Sequence, residues 1–375
     1  MTSYPCTTCH KTFTQKLHIC KGSHSTSSTP VKAISQKQTL GQFFTTNYSH
    51  ILQGISIPFD TKHIIEPFAG NCDLLRFLDE SQYTIECYDI DPKQSRVTQR
   101  DTINDPPSYK DKFLITNPPY LARNKAKDKT LFDKYKVNDL YKCLMKELLT
   151  NQCTGGILII PLNFWSSIRK ADIELRKAFL SHYSILQLNI FEEQVFDDTT
   201  STVCCFLFTQ GSVDVIPITI FPSRVGLTTV LTVANNFSVG GEIYNLPVKG
   251  SYKIGRWTSK NKECEGRCNI LAKCIDDNSN SMIGLSLVSD EELYLDTTSN
   301  CTARTYATLV ITPELSMEQQ EIVVEKFNEY LGSQRRQYHS LFLTNFRESK
   351  DIARKRISFD LVYRIVGYVL ESGVE

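Results

Sequence analysis

Residues 113–125 read FLITNPPYLARNK. The apolar run Phe113-Leu114-Ile115 has the texture of a buried strand. It stops at Asn117-Pro118-Pro119-Tyr120. Two consecutive prolines lack N–H donors and fix φ, so neither a helix nor a central strand continues through them. The pattern predicts a strand ending in a stiff, extended turn that presents one amide and one aromatic ring.

Working outward, short apolar runs recur on both sides of this stretch. Strands are predicted at 63–66, 84–90, 112–116, 156–161, 185–191 and 202–208. Helical segments are predicted at about 72–80, 138–151 and 166–182. Several runs are apolar throughout, as strands covered on both faces are. Strand–helix alternation over residues 39–212 predicts a doubly wound α/β sheet. From residue 213 Val, Ile, Thr and Gly dominate, and a β-rich second domain is expected over 213–375. Within it Ser316 and Gln319 fit a capping box opening a helix over about 316–331, and an apolar stripe from Leu361 to Leu370 predicts a last helix.

The chain has 375 residues, 41% hydrophobic and 22% charged, and a formal net charge of +1. That is the make-up of a globular protein with room for two or three domains. With so small a net charge, nucleic-acid binding requires a local basic face. Thirteen cysteines without a secretory start, and no apolar run of about 18 residues, lead to the expectation of an intracellular, soluble protein with reduced thiols and no membrane partner.

The segment IIEPFAGNCDLLRFL (64–78) places an acid at a strand end, then a small-residue turn, then a helix start. That layout receives nucleotide-like ligands. Gly70 permits close backbone approach, but Cys72 stands where a second glycine is expected, so the dinucleotide fingerprint is absent. Asp89, about 20 residues on, is placed for ribose hydroxyls; the plainer reading is a cap on its own turn. An exocyclic amine on a planar base is a poor nucleophile, because its lone pair is delocalised. Two acceptors aimed at its N–H groups, the Asn117 side-chain oxygen and the Pro118 carbonyl, would restore that lone pair. Tyr120 would stack on the base.

TNPPY (116–120), preceded by EPFAGNCDLL (66–75) and CYDIDPK (87–93), resembles the S-adenosylmethionine-dependent N6-adenine DNA methyltransferases. TLGQFFTTN (39–47) resembles the motif ahead of the glycine turn in their gamma-type members, half of a bacterial or viral restriction–modification pair. The resemblance implies a Rossmann-like methyltransferase sheet with a target-recognition domain after it. It implies Asn117, Pro118, Pro119, Tyr120 and Phe196 as the catalytic set, with Phe196 opposite Tyr120 on an extruded base. It implies a cofactor set of Thr45 or Thr46, Glu66, Phe68, Gly70, Asp89 and Asp101. S-adenosylmethionine is then the cofactor, double-stranded DNA the substrate and a restriction endonuclease the functional partner. RNA adenine and protein glutamine are the rival substrates, and a decayed DNA-binding module is the rival class.

Such an enzyme must flip its target and grip phosphates. Two stretches offer cations among aromatic rings: residues 333–356, with Arg335, Arg336, Arg347, Lys350, Arg354, Lys355 and Arg356, and residues 252–262, with Arg256 and Trp257. Arg123, Asn124 and Lys125 follow the catalytic motif and are also candidates. At the N-terminus Cys6, Cys9, His18 and His24, with Cys20 as rival to one His, have the donor types of a small zinc-finger-like module over 1–28. The alternative is a tail of free thiols. A Ser/Thr-rich linker follows at 29–38.

Overall fold

The computed structural model describes residues 4–5, 12–13, 45–196, 202–211, 213–277, 282–349 and 352–373. The chain divides into two compact units, Met1–Gln36 and Lys37–Glu375. In the first, β1 (Tyr4–Pro5) pairs antiparallel with β2 (Thr12–Phe13). Cys6, Cys9, His18, Cys20 and His24 lie outside the described residues. Among the described residues no group of three or more His, Cys, Asp or Glu is arranged to hold a metal.

The second unit begins with α1 (Tyr48–Ile51), β3 (His63–Glu66), β4 (Thr84–Asp89), β5 (Thr98–Gln99) and β6 (Phe113–Thr116). It continues through α2 (Thr130–Tyr135), α3 (Tyr141–Thr150), β7 (Gly155–Pro161), α4 (Asn163–Ser166) and α5 (Lys170–Leu180). Then come β8 (Tyr183–Phe191), β9 (Val203–Gln210), β10 (Val215–Phe221) and β11 (Val225–Val230). These form one nine-stranded sheet in the order β11-β10-β8-β9-β7-β6-β3-β4-β5. Pairings β3–β4, β3–β6, β4–β5, β6–β7 and β8–β10 are parallel. Strand β9 runs antiparallel between β7 and β8.

The order reverses at β3: the chain winds one way to β4 and β5, then crosses to β6 and β7. Right-handed crossovers then put the two sets of connections on opposite faces, so the sheet is doubly wound. One layer is thin. The helix predicted over 72–80 is a single 3₁₀ segment, Asp73–Phe77, because Cys72 enters it from a left-handed conformation (φ 60°). β6 is buried at every position and β7 at all but its last, which explains their unbroken apolar runs.

The sheet also runs past residue 212. β10, expected in the second domain, pairs with β8 from Ile218↔Leu188 to Phe221↔Phe191. Its alternating burial hid this, since an edge hairpin is solvated on one face and reads like any β-rich sequence. A second core begins near Ile243. It is built on β12 (Lys253–Arg256), β13 (Arg267–Lys273), β14 (Gly284–Leu287) and β15 (Tyr306–Thr312), in the sheet order β12-β15-β13-β14. Helix α6 (Met317–Tyr338), the hairpin of β16 (Thr344–Ser349) and β17 (Ile352–Arg356), and α7 (Phe359–Glu371) complete it. The Ser316–Gln319 capping box is formed, and Val323, Phe327 and Leu331 of α6 are buried beside the apolar face of α7. No helix among the described residues is long and apolar enough to cross a membrane.

Candidate active site

The strand register gathers the candidate residues at one edge of the sheet. Ile65 of β3 pairs with Leu114 of β6, and Glu66 pairs with Cys87 of β4. Glu66, Asp89 and Asn117 therefore leave three neighbouring strands at their carboxyl ends. That edge, at the reversal of strand order, is where open α/β sheets take ligands.

On the β6 side the four-residue turn is largely sunk into the protein. Asn117 and Tyr120 are each 8% exposed. Asn117 Nδ2 donates to Thr45 Oγ1 at 3.1 Å, joining residues 72 positions apart. The Tyr120 hydroxyl lies 2.5 Å from Asn117 Oδ1 and 2.8 Å from the Ile159 carbonyl. A hydroxyl has one proton, so it serves one of these acceptors at a time. When Tyr120 donates to Ile159, a substrate N–H can compete for Asn117 Oδ1. The Tyr120 ring meets Tyr141 edge-on at 6.1 Å, and burial pushes its hydroxyl well above the usual phenol range. Stacking on a base thus requires the ring to turn out of the core it occupies here. Phe196 is buried in the same core, with its carbonyl accepting from Gln194 at 2.9 Å.

On the β3 side the turn is tied to β4, with the Ala69 N–H donating to the Tyr88 carbonyl at 2.8 Å. Gly70 has φ +50°, and its N–H donates to Asp89 Oδ2 at 2.8 Å. Asp89 Oδ1 accepts the Asp91 N–H at 2.8 Å, so this carboxylate both caps its own turn and ties it to the glycine turn. Cys72 answers the missing glycine by taking the left-handed conformation itself, at roughly 1 kcal/mol of strain. Its thiol is pushed up by burial, and the neighbouring Cys87 thiol is pushed up to about 12 by the same cause. Glu66 is 2% exposed and its Oε2 has no hydrogen-bond partner among the described residues. Burial drives its carboxyl well above the usual range; Arg96 opposes this and Asp73 and Asp89 reinforce it. Phe68 is half-buried against the core. Asp101, just past β5, accepts the Ile103 and Asn104 N–H groups at 3.2 Å each and the Asn104 side chain at 2.7 Å.

Two contributors escaped the sequence reading. The Ile159 carbonyl is backbone and has no sequence signature. Asp139 accepts the N–H of Leu121, directly after Tyr120, at 3.0 Å, and burial raises its carboxyl to about 6 against the pull of Lys142. Its signal was an acid in an otherwise ordinary helix approach.

Four of the expected DNA-reading cations are engaged within the protein, and the side chains of Arg347 and Lys350 lie outside the described residues. Arg335 forms a forked pair with Asp277 at 2.6 and 3.0 Å, and Arg354 one with Asp276 at 2.7 Å on both arms. Lys355 is buried against Glu192. Arg256 meets Asp296 at 3.2 Å and lies over the Phe359 ring at 4.4 Å. These four hold the C-terminal core together and to the sheet. Trp257 is half-buried under the Arg267 guanidinium, 4.8 Å away.

No protein-family model and no curated protein matches the chain. Among solved structures it is similar to the methyltransferase subunit of a type I restriction-modification system from Streptococcus thermophilus, at 12% identity and a TM-score of 0.36 over 48% of each chain. It is also similar to a type I restriction-modification complex, at 12% identity and 0.40, covering 50% of this chain and 46% of that one. A third is the type IIL restriction-modification enzyme MmeI in complex with DNA, at 13% and 0.33, covering 56% and 40%. The chain spans less than half the length of these proteins. Similarity at this level assigns neither substrate nor activity to it.

Proposed function

We propose that the chain is an S-adenosylmethionine-dependent methyltransferase acting on N6 of an adenine extruded from duplex DNA. The observation that carries this reading is the Thr45–Asn117–Tyr120 constellation, one strand away from the turn in which Gly70 is tied to Asp89. A buried carboxyl oxygen on Glu66 without a hydrogen-bond partner among the described residues, beside that turn, suits a ligand bearing hydroxyl or ammonium donors. Glu66, Phe68, Gly70, Asp89 and Asp101 would hold the cofactor, which supplies an electrophilic methyl group when bound.

The rest of the chemistry belongs to the chain. Asn117 Oδ1 and the Pro118 carbonyl accept the two N–H groups of the target amine, drawing its nitrogen toward a tetrahedral geometry that frees the lone pair. Pro118 and Pro119 fix the spacing of those acceptors, because their φ angles cannot relax. Thr45 holds the amide nitrogen away, so that the oxygen faces the substrate. With its ring turned out of the core, Tyr120 would stack on one face of the base and Phe196 on the other. The target amine itself is the nucleophile, so no nucleophilic side chain is needed, and the surplus proton leaves from the cationic product amine to water.

The test is transfer of labelled methyl groups from the cofactor to unmethylated duplex DNA, with the product nucleosides identified by mass. N6-methyladenine is expected from the native chain, and at least about 100-fold less from Asn117→Ala. Label in RNA or in protein glutamine only would replace the substrate. Cofactor binding with no transfer to any of the three would refute the enzyme reading.

A further inference from the structure

Between Tyr120 and α3 the chain makes a closed excursion whose ends are clamped. Arg123 N–H donates to the Asn138 carbonyl at 2.9 Å, Leu140 N–H to the Leu121 carbonyl at 3.2 Å, and Leu121 N–H to Asp139. Ala122 and Asp139 form an antiparallel bridge. The middle is anchored too: Phe132 is buried, and the Tyr135 hydroxyl donates to the Ile103 carbonyl at 3.2 Å. An ordered loop is therefore fixed to the catalytic motif, with Arg123 only about 11 Å of chain from Tyr120.

Its charge is out of proportion to the protein. Residues 123–136 contain six Lys and Arg and two Asp, in a chain whose net charge is +1. Arg123 pairs with Asp133 at 2.8 Å, and Asp128 is taken up by the Thr130 N–H and hydroxyl. Lys125, Lys127, Lys129 and Lys136 are exposed and have no anionic partner among the described residues. In the C-terminal part Arg256, Arg335, Arg354 and Lys355 are paired inside the fold, whereas Lys253, Lys260 and Lys262 are exposed and serve as the comparison surface. Ordering a loop while leaving its like charges unpaired is unfavourable for the isolated protein and is reversed by a polyanion.

We infer that the loop 121–140 is a phosphate-gripping surface of this protein, and that its partner is the DNA backbone flanking the target base. The inference rests on the proposed function for its choice of polyanion. A duplex with a base extruded at Asn117 must pass its flanking phosphates over the rim that this loop forms.

The test is binding of unmethylated duplex DNA to the full chain, read by fluorescence anisotropy between 50 and 200 mM salt without cofactor. The triple variant Lys125→Ala/Lys127→Ala/Lys129→Ala is compared with Lys253→Ala/Lys260→Ala/Lys262→Ala on the C-terminal unit. Each lost phosphate contact removes about 0.9 from the slope of log K against log salt, so the loop triple should flatten it by up to about 2.7. Affinity should fall alike on unrelated sequences. A slope unchanged within about 0.5 in a loop triple of native circular dichroism would overturn the inference. Binding of RNA but not duplex DNA would overturn it as well. A native chain that binds DNA through the loop yet methylates nothing would sink the proposed activity and leave this surface standing.

Discussion

Removing the Glu192 carboxylate should uncouple the C-terminal unit from the sheet. Glu192 directly follows β8, four residues before Phe196, and its N–H donates to the Phe221 carbonyl at 2.9 Å. Its Oε2 meets His339 Nε2 at 3.1 Å, at the end of α6. Its Oε1 meets the Lys355 ammonium on β17, and that lysine is 4% exposed. Burial acts to raise the Glu192 carboxyl, but His339 and Lys355 outweigh it and hold it below the usual range. In Glu192→Ala the Lys355 ammonium is left buried without its counter-charge. Breaking a buried pair from one side costs about 3–5 kcal/mol. Glu192 keeps some contact with solvent, so the low end, about 3 kcal/mol, is expected. The two tryptophans make the assay direct, because Trp165 lies in the sheet core and Trp257 in the C-terminal unit. Urea unfolding of single-tryptophan variants would show the Trp257 transition moving to lower urea and parting from that of Trp165. The sign with pH follows from the depressed carboxyl. Its stabilisation is full above the unfolded value of about 4.3 and is lost as pH falls through the folded value. The gap between native and variant should therefore be complete at pH 6 and close below about pH 4. A loss under about 1 kcal/mol at pH 6, or coincident transitions, would refute the reasoning.

Two further outcomes test the site itself. Glu66 has a raised carboxyl, so its favourable contribution is complete below about pH 4.3 and is lost as pH rises through the folded value. Glu66→Gln should thus melt higher than the native chain at pH 8, with the difference gone by pH 4; a gap independent of pH would refute the assignment. Thr45→Val keeps the shape but leaves the Asn117 amide nitrogen without this acceptor. It should lower kcat about tenfold with KM for DNA little changed, while Thr45→Ser stays within about twofold; equal losses in both variants would assign Thr45 a packing role.

Much of this molecule was legible before folding was considered. Apolar runs of four to seven residues marked β6 and β7 as strands buried on both faces, because burial on both faces forbids alternation. Pro118 and Pro119 ended β6 wherever the rest of the chain went, and the Gly70 turn and its spacing to Asp89 were local facts. What the letters could not decide was pairing. The continuation of the sheet through β10 and β11 depends on hydrogen bonds between distant strands, and edge strands carry no distinctive pattern. The partners of cations were equally hidden: Arg335 finds Asp277 58 residues away and Arg354 finds Asp276 78 residues away, so these two cations of the basic stretch are internal ties. The same holds for Tyr120, whose hydroxyl is placed on Asn117 and Ile159 by the packing of β6 against β7. Local chemistry is written in the chain, because φ, charge and apolarity are properties of each residue. Which acceptor a buried donor reaches, and which cation stays unpaired to meet a partner, only the tertiary structure decides, because desolvation is a property of the neighbours.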